Sequence, residues 1–376
     1  MGWAIFYRIA QQQAQILRCV GDGAALTLPQ TIEGAPVTAI GPGCFAQGEA
    51  EAEGLFCADE TTVPAALPGA GNLRRVVLPP TLTRVGERAF AGCGELKRLE
   101  LPAGVSLLGE RCFEGCGLEH MELPAALEAL PDYAFAQCRS LQRITLPPGL
   151  KSLGRCGFYN CRALEELTFP DSVAYTGESL FMNCASLSRL SAPLGVNLSV
   201  LLSDLPNALE LTVRCPDGEA RFFLPRFSYE YESVTAPRVW RTITYGAGQL
   251  YRECFSSRDI DFELYESYFD TALLQDDLVD TVHIALCRLR WPYHLGKGRE
   301  RYLEHLSRHS DTALDLLMEG DDLPGLEALL GLIQPSERTL EELTARARGR
   351  NKLFFVSRLM DAHMGAGGGA DKTFDL

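Results

Sequence analysis

The sequence holds no run of 18 apolar residues, so no helix of membrane-spanning length is expected. Its first residues, Met1-Gly2-Trp3-Ala4-Ile5-Phe6-Tyr7-Arg8, lack the basic and apolar segments of a signal peptide. Phe6 stands where an N-myristoylation signal needs Ser or Thr, and a cytoplasmic location follows as the expectation. Signatures of chemistry are missing as well. There is no Gly-x-Gly-x-x-Gly, no phosphate-cradling loop ending in Gly-Lys, no His-Glu-x-x-His and no Gly-x-Ser-x-Gly. His305 and His309 lie four apart with Asp311 beside them, but no Cys or third His completes a metal set, and a solvated helix face is the better reading. Basic charge is scarce: 35 Lys and Arg against 49 Asp and Glu leave a net charge of −14, which argues against nucleic acid as a partner. The run Arg346, Arg348, Arg350 and Lys352 reads as a helix end whose cations suit the dipole. No cofactor and no enzymatic activity are expected.

What the chain does have is one phrase said five times and begun a sixth. From Asn72 it reads Leu-x-x-(Val/Leu/Met/Ile)-x-(Leu/Phe)-Pro, then an aliphatic residue, usually Gly, then Phe and Cys. The prolines fall at Pro79, Pro102, Pro124, Pro147, Pro170 and Pro193, with steps of 22 or 23 residues. Phe90, Phe113, Phe135, Phe158 and Phe181 share that phase, and each is followed three residues later by Cys93, Cys116, Cys138, Cys161 or Cys184. Three residue types in one register indicate a repeat array.

In one repeat, Leu96 to Leu101 alternates apolar and polar residues, as a short strand with one buried face does. Leu99 and Leu101 are expected inside, and Pro102, which lacks an N–H, ends the strand. Val105, Leu108 and Phe113 carry the chain back over the core. A single coil buries too few side chains, at roughly 1.5 to 3 kcal/mol each, to offset an ordering cost of about 1 to 2 kcal/mol per residue. Neighbouring coils must therefore stack, each Leu, Phe and Cys on its counterpart.

Stacking places the outward residues in two columns. One is Arg75, Arg98, His120, Arg143, Glu166 and Arg189; the other is Val77, Glu100, Glu122, Thr145, Thr168 and Ser191. Two readings stand. The columns are either solvated rungs in which Arg98 and Arg143 pair with Glu100 and Glu122, or a binding face whose guanidinium row offers donors to carboxylates on an extended acidic segment of another protein.

The phrase resembles the BspA-like, or Treponema pallidum-type, leucine-rich repeat. Ala89-Phe90-Ala91-Gly92-Cys93 and Ala134-Phe135-Ala136-Gln137-Cys138 carry the likeness, while Pro131 in place of Gly and Ala192 in place of Leu or Phe depart from it. The resemblance implies a curved solenoid that binds other macromolecules, in a family with many bacterial members. Downstream, Asp321 to Leu330 and Phe354 to Met360 are similar to the helix pairs of ankyrin-type repeats, without a Thr-Pro-Leu-His.

The fold class is thus α+β multidomain: a β-rich leucine-rich-repeat solenoid followed by an all-α helical-pair domain. Residues 1–71 form an amino-terminal cap, a first repeat and an inserted loop over 47–71. Residues 72–195 are the solenoid, 196–257 a degenerate repeat or β cap and linker, 258–364 the helical domain and 365–376 a disordered tail. The solenoid is electrically neutral, and residues 1–71 and 196–376 carry −5 and −9. Thirteen cysteines in 376 residues fall below the density of a disulfide scaffold, and five occupy the repeat's own position. They are expected as reduced, buried plugs, with oxidation in an extracellular setting as the alternative. The expected function is a non-enzymatic protein-binding scaffold without membrane insertion. The alternatives are a secreted, adhesin-like protein and an enzyme with its site in the carboxy-terminal helices; the oligomeric state is not legible.

Overall fold

The computed structural model describes residues 3–21, 23–46, 56–57, 72–235, 238–257 and 259–367. Most of the loop expected over 47–71 and most of the tail expected over 365–376 lie outside the described residues. The chain forms two compact units, Met1–Leu209 with Phe255–Asp259, and Glu210–Cys254 with Ile260–Leu376.

The first unit begins with the expected hairpin, Ala4–Ala10 antiparallel to Gln13–Val20, turning through Gln11 and Gln12 at positive φ. Gln13–Val20 pairs in parallel with Ala35–Ile40, so the cap covers the first coil's open edge. Each coil then supplies two short strands. A front ladder joins Ala25–Thr27 to Arg75–Val77, His120–Glu122 to Arg143–Thr145, and Glu166–Thr168 to Arg189–Pro193, all parallel. Ala25–Thr27 meets Arg75–Val77 directly, so the insertion between them does not interrupt this pairing. The return path also pairs: Ala39 and Ile40 to Arg84–Val85 to Leu107–Leu108, and Ala129–Leu130 to Ser152–Leu153 to Tyr175–Thr176.

Between the ladders, like side chains stack on like. Phe45, Phe90, Phe113, Phe135, Phe158 and Phe181 form one column with ring centroids 4.7, 5.7, 5.1, 5.9 and 6.0 Å apart. The Cys column is buried and free, as the repeat predicts. It is not a mute plug, however. Cys116, Cys138, Cys161 and Cys184 each donate Sγ–H to the carbonyl of the Phe in the preceding coil, at 3.0 to 3.1 Å. Burial pushes the Cys138 and Cys184 thiols up to about 12.

Two backbone devices recur. The second residue before each Phe (Arg88, Arg111, Tyr133, Cys156, Ser179) and the second after it (Gly92, Gly115, Gln137, Asn160, Asn183) both have φ between 52° and 78°, which turns the chain sharply about the ring. The repeat's glycine serves close approach instead: a Cβ on Gly154 would lie 2.4 Å from the Asp132 nitrogen of the coil below. Leu101 departs from expectation. It is half-exposed where Leu78, Leu123 and Leu146 are buried, and its strand meets the preceding one through the single Arg75–Arg98 bridge.

In the second unit, Gly218–Leu224 lies beside Leu209–Cys215 around Pro216-Asp217, and Ser228–Thr235 with Arg238–Tyr245 makes a second antiparallel pair that alternation alone did not reveal. Nine helices follow among the described residues. The longer ones include Leu278–Arg290, Arg299–Arg308, Ser310–Glu319, Leu323–Ile333 and Glu337–Gly349, within the region expected to be helical. Asp261, Asp277, Asp322 and Ser336 cap their helices by accepting backbone N–H groups. Leu278–Arg290 is the hub, packed on Gly218–Leu224 and on the three helices after it. It buries Arg288 completely. That guanidinium donates Nε–H to Glu266 Oε1 at 2.9 Å and stands 5.0 Å over the Phe222 ring.

Candidate binding face

The front ladder positions the outward residues by burying the residue between them. Val76, Leu99, Met121, Ile144, Leu167 and Leu190 are all under 8 % exposed. With the centre of each strand pinned, the pleat turns both neighbours outward. Arg75, Arg98, His120, Arg143 and Arg189 are exposed in one column, with Glu166 half-exposed; Glu100, Glu122, Thr145 and Thr168 are exposed in the other. Backbone pairing fixes the register: Arg75 faces Arg98, His120 faces Arg143, Glu122 faces Thr145, and Glu166 faces Arg189.

The columns are not uniform. Arg189 closes on its neighbour, donating from Nη2 and Nε to Glu166 Oε2 at 2.9 and 3.1 Å. On the flank, Arg74 lies 3.7 Å from Glu95 and Lys97 3.8 Å from Glu119. Among the described residues no carboxylate lies within ion-pair distance of Arg75, Arg98 or Arg143, so the pairing of Arg98 and Arg143 with Glu100 and Glu122 does not form. Arg75 and Arg98 rim an open groove of about 770 Å³ whose floor includes Val77, Leu101 and Pro102. Val77 is 42 % exposed there. A second groove, of about 400 Å³, runs beside Arg143, Thr145, Glu166 and Thr168. The face therefore offers unpaired guanidinium groups beside small apolar patches, all held by rigid strands. That suits recognition of carboxylates and aliphatic side chains on an extended chain.

Other candidates from the sequence resolve differently. His305 is not on a solvated face: its Nε2 is 3.1 Å from Thr281 Oγ1, and burial with the nearby His309 lowers its pKa to about 4. No group of three His, Cys, Asp or Glu able to hold a metal occurs among the described residues. Three members of the basic run pair within their own unit, Arg346 with Asp311 and Asp315, Arg350 with Asp315 and Glu319, and Lys352 with Asp321, while Arg348 donates to the Met360 sulfur. No described helix is long and apolar enough to cross a membrane. The two columns extend one rung further than the sequence reading took them, to Ala25 beside Arg75 and Thr27 beside Val77.

Residues 65–188 match the family model of the BspA type leucine rich repeat region, in six copies. Among solved structures the chain is similar to the T. pallidum leucine rich repeat protein, at 27% identity over 51% of this chain and 70% of that one, with a TM-score of 0.34. It is also similar to a leucine rich cell surface protein from Faecalibacterium prausnitzii, at 21% identity over 58% of each chain and a TM-score of 0.36. No curated protein matches.

Proposed function

We propose that this chain, whose residues 65–188 are BspA-type leucine-rich repeats, is a non-enzymatic scaffold that binds a partner protein through its front strand face. The observation that carries the reading is the row of exposed, unpaired guanidinium groups of Arg75, Arg98 and Arg143 on buried strand centres. The partner is an extended acidic segment with an aliphatic side chain that enters the groove over Val77 and Leu101. The Thr and Glu residues of the second column set its register. Free, buried cysteines in the repeat position suit a reducing, cytoplasmic setting.

The test is fluorescence anisotropy with a labelled peptide that alternates Glu and Thr around a central Leu. Replacing Arg98 and Arg143 together by Glu removes charge-assisted bonds of about 1.5 to 3 kcal/mol each, so binding falls beyond detection while the melting temperature holds. Binding also weakens with salt. Retained, salt-insensitive binding by the double variant would place recognition on another face.

A further inference from the structure

The second unit carries a surface of the opposite character. Where the helix Phe269–Gln275 meets Leu278–Arg290, four aliphatic side chains stand in solvent: Leu273 is 45 %, Leu274 87 %, Leu278 41 % and Val279 46 % exposed. Exposed aliphatic side chains gathered at one corner between helices in this way mark an interaction site. Its rim is acidic. Residues 260–287 hold no Lys or Arg; of their seven Asp and Glu, Glu266 is buried against Arg288 and Asp270 pairs with Arg301, while Asp276, Asp277 and Asp280 fall in the corner itself. Asp277 is occupied with capping its helix, and Asp276 Oδ1 accepts the Ala247 N–H at 3.0 Å. Among the described residues no cation lies within ion-pair distance of these three carboxylates, although the charges of His283 and Arg226 act favourably on Asp280. Burial, then repulsion from Asp277 and Asp276, pushes the Asp280 carboxyl up to about 6.

We propose that this corner docks a basic amphipathic helix of a partner protein, its aliphatic stripe covering Leu273, Leu274, Leu278 and Val279 and its Lys or Arg residues meeting Asp276, Asp277 and Asp280. Charge selects this occupant over the others. A second copy docking symmetrically through this corner would bring two acidic rims together, and an anionic membrane surface would be repelled by the same carboxylates. A cationic helix relieves the uncompensated charge while it buries the apolar corner. The chain then binds two partners of opposite charge, one on each unit.

The test uses the full chain and a labelled helical peptide of Leu and Lys, with Leu at i, i+3, i+4 and i+7. The chain binds it with micromolar affinity at physiological salt, and a scrambled peptide of equal charge binds more than roughly tenfold more weakly. Leu274→Ser with Val279→Ser weakens binding by more than roughly tenfold, because the apolar contact is lost. Asp280→Asn flattens the salt dependence. Both variants replace exposed or half-exposed groups, so unchanged melting confirms that folding is intact. Equal affinity for the scrambled peptide, or unchanged affinity in the Leu274→Ser, Val279→Ser variant, would reduce the interaction to non-specific charge and overturn the proposal. A dimer in light scattering that the same variant dissolves, or binding to phosphatidylserine vesicles, would assign the corner to a different occupant and overturn it equally.

Discussion

Replacing Gly154 by Ala tests how tightly the coils are stacked. The added Cβ would lie 2.4 Å from the Asp132 nitrogen, 2.5 Å from the Pro131 carbonyl carbon and 2.7 Å from Asp132 Oδ1. Ordinary contact needs about 3.5 to 4.0 Å, so the coils would have to separate by about 1 Å. Adjacent strands are held near 4.7 to 4.9 Å, and Gly154 N–H donates to the Leu130 carbonyl at 2.8 Å. Separation would strand that bond, at about 1 to 3 kcal/mol, on top of about 1 to 3 kcal/mol for overpacking. The expected loss is therefore about 2 to 6 kcal/mol. Gly149 is the internal control, because a Cβ there meets nothing closer than the Ala125 oxygen at 3.9 Å. Urea denaturation followed by circular dichroism should show Gly154→Ala shifted strongly downward and Gly149→Ala near the parent. Equal midpoints for the two variants would refute the close-stacking argument.

Phe135→Ala removes a ring stacked on Phe113 and Phe158 and should cost about 3 to 5 kcal/mol by denaturant titration; a loss below about 1 kcal/mol would mean the column does not bear on stability. Cys138→Ser keeps a donor near the Phe113 carbonyl, so it should cost less than the roughly 1 to 3 kcal/mol of an unpaired buried hydroxyl, and a larger loss would show that the shorter C–O bond cannot reach. Because the native Cys138 thiol is raised from 9.0 to about 12, the unfolded chain releases its proton first, and stability should fall as pH rises from about 9 towards 12; thiol reagents should label Cys138 slowly until urea is added. A piece comprising residues 258–364 would lose the Phe223 carbonyl that accepts the Tyr265 hydroxyl at 2.7 Å and the Phe222 ring beneath Arg288. It should be much less helical by circular dichroism than the same segment in the whole chain, with helicity restored by extension back to residue 210; a fully helical short piece would show that the two sheet pairs are dispensable.

The solenoid was legible because its stacking is written in residue types. Phe over Phe and Cys over Cys require identical residues in phase, and the alternation around Val76 or Met121 assigns outward positions with no further information. The strands of the return path were not legible, since two residues such as Leu107 and Leu108 carry no alternation to read. Nor were the left-handed positions, where Arg88, Arg111, Tyr133, Cys156 and Ser179 share a backbone angle but no chemistry. In the helical unit, nothing in the sequence singles out Arg288, which the fold encloses between Glu266 and the Phe222 ring. The exposed columns were readable as positions. Their pairing was not, because closure of Arg189 on Glu166 and the unpaired state of Arg98 depend on rotamers and not on sequence order.

Hydrogen exchange of the full chain, with and without the Glu, Thr and Leu peptide, tests the central claim most directly. The account predicts added protection at residues 75–77, 98–100, 120–122 and 143–145, fading towards 189 where Arg189 is already engaged. Protection confined to the return strands at 84–85, 107–108 and 129–130, or to the helical unit, would contradict it.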